Sequence, residues 1–398
     1  MFRIRNSIVG IFMTVAALPV KGQQVLTESE AISRALANNK NIQAASFQVK
    51  QQQQLLKSAI NLPNPEFFWE SPTGNFYTGS ITQSIEFPTV YNNQYRLQKQ
   101  QIGVAQKEKQ LTEAELKYRV KLLYLEAQFA DSLVRQFYIQ DTLYEKIKLS
   151  AIRQFNAGQI DYLQQTFAET QYGEIHNQYL QSVTRVKAIK AQLQWLTGIK
   201  DAIAVEPLVI AASQPQFSFI PDSTALLSNP AVQVLQQQQA VARQNITLQK
   251  SKALPGLAIG YFNQGERETK WSNRFRFGIT IPLWFGQYKS KINAAKTEQQ
   301  VIQSKQEGLQ QELSVLVINA NSEMQANWQS VQYYQQTGLR KAQEVIITSQ
   351  RFFVSGEIDY ISLLRNSNDA YNVYQKYLEA VRNYNLSVIN YQYLMGTL

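Results

Sequence analysis

The stretch FNAGQIDYLQ, Phe155 to Gln164, returns as FVSGEIDYIS, Phe353 to Ser362, later in the same chain. Aligning Phe155–Gly198 with Phe353–Gly396 needs no gap and keeps Gly-x-Ile-Asp-Tyr intact. The match extends to the chain's LTG (Leu196–Gly198) and LMG (Leu394–Gly396). Gly158 and Gly356 suit a left-handed cap that ends an incoming helix. Asp161 and Asp359 fall where a carboxylate caps the free N–H groups of an outgoing helix and opposes its positive end. The repeated phrase therefore reads as the tip of a helical hairpin, written twice.

Working outward, the parallel continues. NKNIQ at Asn39 answers NPAVQ at Asn229, LPNPEF at Leu62 answers LPGLAI at Leu254, and IEFPTVY at Ile85 answers ITIPLWF at Ile279. The chain is two copies of one plan, 23–198 and 223–398, joined by a linker over 199–222 in which Pro207, Pro215 and Pro221 break helix. Two copies are too few for an open solenoid, so the pattern implies duplication with pseudo-symmetry.

Each copy orders its elements alike. A first helix of about thirty residues (Thr27–Asn61; Ser223–Lys252) precedes two strand-like runs, a very long helical stretch (Asn92–Asn156; Gln287–Val354) and a closing helix (Ile160–Leu196; Ile358–Leu394). Val120, Leu123, Ala127, Ala130, Val134 and Phe137 step by threes and fours, and Leu313, Val317, Ala320, Met324, Trp328 and Val331 do nearly the same. About 65 residues at 1.5 Å each make a rod on the order of 100 Å long, and such rods must pack along one another.

RFRFGITI, Arg274 to Ile281, alternates strictly. Phe275, Phe277, Ile279 and Ile281 share one face, and Arg274, Arg276, Gly278 and Thr280 the other. TGSITQSIEF (Thr78–Phe87) alternates less cleanly, and EFFWES (Glu66–Ser71) and LAIGYFN (Leu257–Asn263) pair with these two through the turns SPTGN and QGERETK. A strand of about ten residues, apolar on one side only, is the unit of a transmembrane barrel. Tyr261, Phe262, Trp271 and Trp284 are expected at membrane interfaces. Four strands cannot close a barrel, which takes about eight, so several chains must pool theirs. A soluble hairpin packed on a core would use the same alternation.

Composition bounds the chemistry. The chain is 44% hydrophobic and 17% charged, as in folded proteins. Gln51–Gln54 and Gln236–Gln239 read as solvated helix faces, since Gln forms helix well. The net charge is +10, but Lys and Arg are mixed with acids along the helices, and no nucleic-acid motif occurs. Arg3 and Arg5, the apolar run Ser7–Val20 and the small residues Val20 and Gly22 read as a secretory signal over 1–22. Its removal lowers the charge to +7, because Arg3, Arg5 and Lys21 leave with it. No Cys is present, which excludes a disulfide and an N-terminal lipid anchor. A single His, His176, lies in mid-helix, so neither catalysis nor a metal site is expected, and no phosphate-binding loop is found. No cofactor is expected, and the energy source must lie in a partner.

With the paired FxxGxIDY tips, the Asn-led first helices, the LPNP and LPGL strand entries and the closing LTG and LMG, the chain resembles the TolC-like family of outer membrane efflux proteins over nearly its whole length. The resemblance implies a mainly α protein with a small β part: a long antiparallel helical-hairpin α-barrel, and four strands per chain in a trimeric twelve-stranded transmembrane β-barrel. It implies a passive export duct of the Gram-negative outer membrane that extends into the periplasm. The implied partners are two further copies of the chain, outer-membrane lipid, a periplasmic adaptor and an inner-membrane pump; compact length points to the branch that serves pumps of the resistance-nodulation-division type, including those for heavy metals. It further implies that Phe155, Gly158, Ile160, Asp161, Tyr162, Phe353, Gly356, Ile358, Asp359 and Tyr360 form tips that close the duct and meet the adaptor. Several family members carry an aspartate pair just after the second tip; here those positions read Ser362 and Arg365, which removes the acids from that ring. The competing reading is a soluble periplasmic coiled-coil scaffold or adaptor.

Overall fold

The computed structural model describes residues 24–71, 74, 76–212, 225–263 and 270–398. The expected signal over 1–22, part of the linker and most of the turn QGERETK lie outside them.

The first helix is not continuous. Thr27 Oγ1 accepts the Glu30 amide and opens α1 (Glu28–Asn38), and Asn39 then interrupts with extended backbone, φ −72° and ψ 126°. The Asn39 carbonyl oxygen of the side chain accepts the amides of Asn41 at 2.8 Å and Ile42 at 3.2 Å, which starts α2 (Lys40–Ser58). Asn229 does the same in the second repeat. A short 3-10 turn (Ala225–Ser228) precedes it, and its side-chain oxygen takes the Ala231 amide at 2.9 Å to open α5 (Pro230–Ser251). The single helices expected over Thr27–Asn61 and Ser223–Lys252 are thus both split by an Asn, whose side chain competes with the helix for its own amides.

The rods follow. α3 (Pro88–Asn156) runs 69 residues without a break, about 100 Å of helix, and α4 (Tyr162–Thr197) returns along it. In the second repeat α6 (Phe285–Tyr333) gives way to a π-helical turn (Tyr334–Gly338) before α7 (Leu339–Ser355), and α8 (Tyr360–Met395) returns. The uninterrupted rod expected over Gln287–Val354 is therefore broken. Buried positions give the physical reason. Leu116, Val120, Tyr124 and Ala127 correspond to Leu313, Val317, Asn321 and Met324, a spacing of 197, whereas Gln140, Tyr144 and Ala151 correspond to Gly338, Ala342 and Ser349, a spacing of 198. The second rod carries one extra residue, and a single π turn absorbs one residue without rotating the buried face beyond it.

Four strands form one antiparallel sheet in the order β2 (Glu66–Glu70), β3 (Thr78–Ile85), β5 (Gly256–Phe262), β6 (Phe275–Thr280). A second, two-stranded sheet pairs β1 (Gln24–Leu26) in parallel with β4 (Ile203–Val205), a contact that joins the start of the first repeat to the linker. The Tyr124 hydroxyl donates to the Leu26 carbonyl at 2.8 Å and accepts the Glu206 amide at 3.2 Å, and burial pushes its pKa up to about 12. At this same level the helix ends are tied: Asn38 Nδ2 donates to the Thr197 carbonyl and Asn229 Nδ2 to the Leu394 carbonyl. Both closing Gly motifs thus end their helices against the repeat's own first helix.

The core is a chain of clusters along the rods rather than one centre. Leu26, Leu116, Val120, Tyr124 and Leu193 pack together in the first repeat, Leu226, Val232, Leu313 and Val317 in the second, and Met324, Val331, Val381 and Tyr384 lower down. α8 touches α3 as well as α6 and α7, so the two repeats form one packed body of helices.

Candidate functional site: hairpin tips and an apolar sheet face

The two tips share their backbone. In the first, Gly158 takes φ 69°, its amide donates to the Phe155 carbonyl at 2.9 Å and the Gln159 amide to Gln154. In the second, Gly356 takes φ 79°, and the amides of Gly356 and Glu357 donate to Phe353 and Phe352. A Cβ at either Gly would meet nothing within 4 Å. The glycines are therefore required by the left-handed backbone, not by close packing. Asp161 Oδ1 accepts the Gln164 amide and Asp359 Oδ1 the Ser362 amide, both at 2.8 Å, so both aspartates are the helix caps that their place in the phrase implied. That backbone hydrogen bond holds the Asp359 carboxyl below its ordinary range.

Side-chain packing separates the tips. Tyr360 is 2% exposed, and its hydroxyl and the Ser150 hydroxyl of α3 lie 2.9 Å apart. With Leu363 and Leu364 it packs on Tyr144, Ile147, Ala151, Ala168 and Ile175 of the first hairpin, flanked by Ile160, Phe353 and Ile358. Burial also pushes Tyr144 up, and its hydroxyl donates to the Leu364 carbonyl. Tyr162, at the matching position, is 69% exposed, as is its neighbour Leu163 at 67%. Phe353 and Tyr360 rings meet edge-on at 4.6 Å between centroids, whereas Phe155 and Tyr162 are 6.0 Å apart. Arg365 is exposed on α8, on the helix face away from Leu363 and Leu364. Ser150 and Tyr144, which fix the second tip, escaped the sequence reading; their spacing within α3 follows the buried stripe, and that stripe extends past the Phe137 at which the reading stopped.

His176 lies in α4, where its Nδ1 is 2.9 Å from Asp141 Oδ1 and its ring stacks on Tyr172. It braces α3 against α4. Among the described residues no three His, Cys, Asp or Glu converge on one point, and no helix is long and apolar enough to cross a membrane.

The sheet carries the other half of the site. Cross-strand partners Phe67–Ile81, Ile81–Tyr261, Ile259–Phe277 and Leu257–Ile279 put Phe67, Trp69, Ile81, Ile85, Leu257, Ile259, Tyr261, Phe275, Phe277 and Ile279 on one face. These side chains are largely uncovered, Phe277 at 81%, and Ile281 continues the series just past β6. The opposite face is small and polar: Ser80, Thr82, Ser84, Ala258, Gly260, Gly278 and Thr280, with Arg276 stacked 3.7 Å over the Phe262 ring. Phe262 thus points away from the apolar face, since alternation sends it opposite to Tyr261. Trp271 and Trp284 are exposed at the two ends of the β5–β6 hairpin region. Phe67 and Trp69 join the exposed apolar face without having been singled out from the sequence, although EFFWE alternates them with Glu66, Phe68 and Glu70.

A sheet that exposes one apolar face, on the end of helical hairpins about 100 Å long, is a fold shared with solved outer-membrane channels. Solved structures with this fold include CusC (TM-score 0.75, 16% identity, covering 94% of this chain and 93% of that one) and the Campylobacter jejuni CmeC outer membrane channel (0.74, 13%, 100% and 94%). The Neisseria gonorrhoeae MtrE outer membrane channel, solved in its open state, is similar too (0.71, 15%, 93% and 88%). No curated protein sequence matches the chain significantly. Residues 223–397, the second repeat, match the outer membrane efflux protein family.

Proposed function

We propose that three copies of this chain pool their strands in one twelve-stranded barrel and their hairpins in one hollow helical barrel, through which solutes leave the cell passively. The observation that carries this reading is the four-stranded sheet, apolar on one face, with β2 and β6 as its edge strands. An open sheet edge is not tolerated in lipid, so each edge must pair with another copy. Both repeats act as one domain, 23–198 and 223–398, with 199–222 as the connector. The duct works as the outer component of a tripartite system, coupled through a periplasmic adaptor to an inner-membrane pump of the resistance-nodulation-division type. A heavy-metal substrate rests on the resemblance and on the likeness to CusC, which stands beside several other channels.

The tips, Phe155–Tyr162 and Phe353–Tyr360, together with Arg365 just after the second tip, meet the adaptor and gate the duct. Phe275, Phe277, Ile279 and Ile281 face lipid. The test is the native mass of the detergent-extracted protein together with Phe277→Lys. A mass of three chains and failure of the variant to insert, from a cost of about 2–4 kcal/mol at the bilayer midplane, support the reading. A monomer, or normal insertion of the variant, sinks it. Gly158→Val combined with Gly356→Val is expected to impair efflux while leaving the trimer in the membrane; unchanged efflux removes the tips from the docking role.

A further inference from the structure

The positive charge of the chain is concentrated at one level. Segments 45–61, 86–104, 240–256 and 281–300 hold ten Lys or Arg and two Glu, a surplus of eight, where the whole chain carries +10. These segments are the sheet-side ends of α2, α3, α5 and α6. Lys57, Lys250, Lys252, Lys289 and Lys291 lie within six residues of those ends, about 9 Å of helix. Four of the five are exposed and Lys252 is half-buried. Among the described residues none of them has a carboxylate within salt-bridge distance, whereas further along the rods Lys121 pairs with Glu28 and Lys190 with Asp131, each at 2.8 Å.

The cations stand close in sequence to exposed apolar residues. Lys57 precedes the exposed Ile60 by three residues, Lys250 precedes the exposed Leu254 by four, and Lys289 follows the exposed Phe285 by four. Phe285 and Lys289 lie in one helix, α6, where a spacing of four puts them on one side, and Ile60 and Leu254 follow the ends of α2 and α5. A Lys stem that lies on an apolar surface carries its ammonium out to the headgroup layer. A ring of unpaired cations at that depth meets phosphate. We propose that this basic collar binds anionic phospholipid headgroups of the leaflet on the helix side. The proposal rests on the outer-membrane reading of the sheet.

The test uses the full chain, extracted in mild detergent and titrated with phosphatidylglycerol or phosphatidylethanolamine, with retained lipid counted by native mass spectrometry. Each cation near an anionic surface changes binding about fivefold. The wild type is therefore expected to retain phosphatidylglycerol about tenfold or more over phosphatidylethanolamine. Lys250→Gln with Lys252→Gln, Lys289→Gln and Lys291→Gln should abolish that preference, and the four Lys→Arg changes should keep it. Equal retention of both lipids by the wild type, or an undiminished preference in the Gln variant, overturns the proposal. Displacement by equimolar inorganic phosphate also overturns it and makes the collar a free-anion site. Insertion into bilayers separates the two readings: a protein that inserts without lipid preference loses the collar alone, and one that does not insert loses the barrel as well.

Discussion

Tyr162 and Tyr360 close the same five-residue phrase, on the same backbone turn, with the same Asp cap before them, yet one is exposed and the other is sealed against α3. The rods behind them differ in the same way: α3 is continuous and its counterpart is broken by the turn Tyr334–Gly338. Local sequence therefore fixes the turn, and the neighbouring hairpin fixes what the turn touches. One extra residue in the second rod would swing its tip by about 100° around the helix axis if nothing absorbed it. The π turn keeps Ala342 and Ser349 facing α8, and so keeps Tyr360 in reach of Ser150.

The strongest way to break this contrast is by deletion. Removing Gln140 from α3 should rotate Tyr144, Ile147 and Ala151 out of the tip cluster, melting both tips; hydrogen exchange at those amides would then be unprotected. Removing Gln336 from the π turn should instead yield a continuous helix with tip protection retained. Equal loss in both would show that the turn is not an absorbed insertion. Next in size, Tyr360→Ala should cost about 3–5 kcal/mol, the usual range for emptying a buried aromatic site, while Tyr162→Ala should stay within about 0.5 kcal/mol, both read as shifts in local opening at the tips. Gly158→Val and Gly356→Val should cost about 1–2 kcal/mol each and nearly the same as each other, since both positions have positive φ and open space; a large inequality would mean that packing, not backbone, selects Gly.

The smallest effect concerns the caps. Asp359→Ala should cost about 1 kcal/mol. Because the folded Asp359 carboxyl sits below its unfolded value, its contribution is fully present above the ordinary carboxylate range near pH 4. It is lost as pH falls through the depressed folded pKa. The second tip of the wild type should therefore loosen on acidification below about pH 4, and the Asp359→Ala variant should lack that part of the dependence.

Much of this was legible because it is local. The Gly-x-Ile-Asp-Tyr turns, the alternation of Phe275, Phe277 and Ile279, and the seam from Val120 to Phe137 each depend on residues within a few positions of one another. The breaks at Asn39 and Asn229 were also local, and NKNIQ and NPAVQ hold the signal: an Asn whose side chain can cap the next turn. The π turn carries no such letter. It shows only as a change in spacing between two sets of buried residues, which needs the packed structure to identify. The pairing of β1 with β4 was hidden for the same reason, since three-residue strands whose partners lie 179 positions apart have no periodicity to read.

The sequence by itself determined the repeated plan, the hairpin turns and the apolar side of the strands, because backbone capping and residue periodicity act over one or two turns. Only the tertiary structure decided that β3 lies beside β5, that Tyr360 is buried where Tyr162 is not, and that lysines without an ion pair among the described residues gather at one level beneath the sheet. Those outcomes depend on which distant segments meet, and side chains of like sequence acquire different surroundings when their neighbours differ.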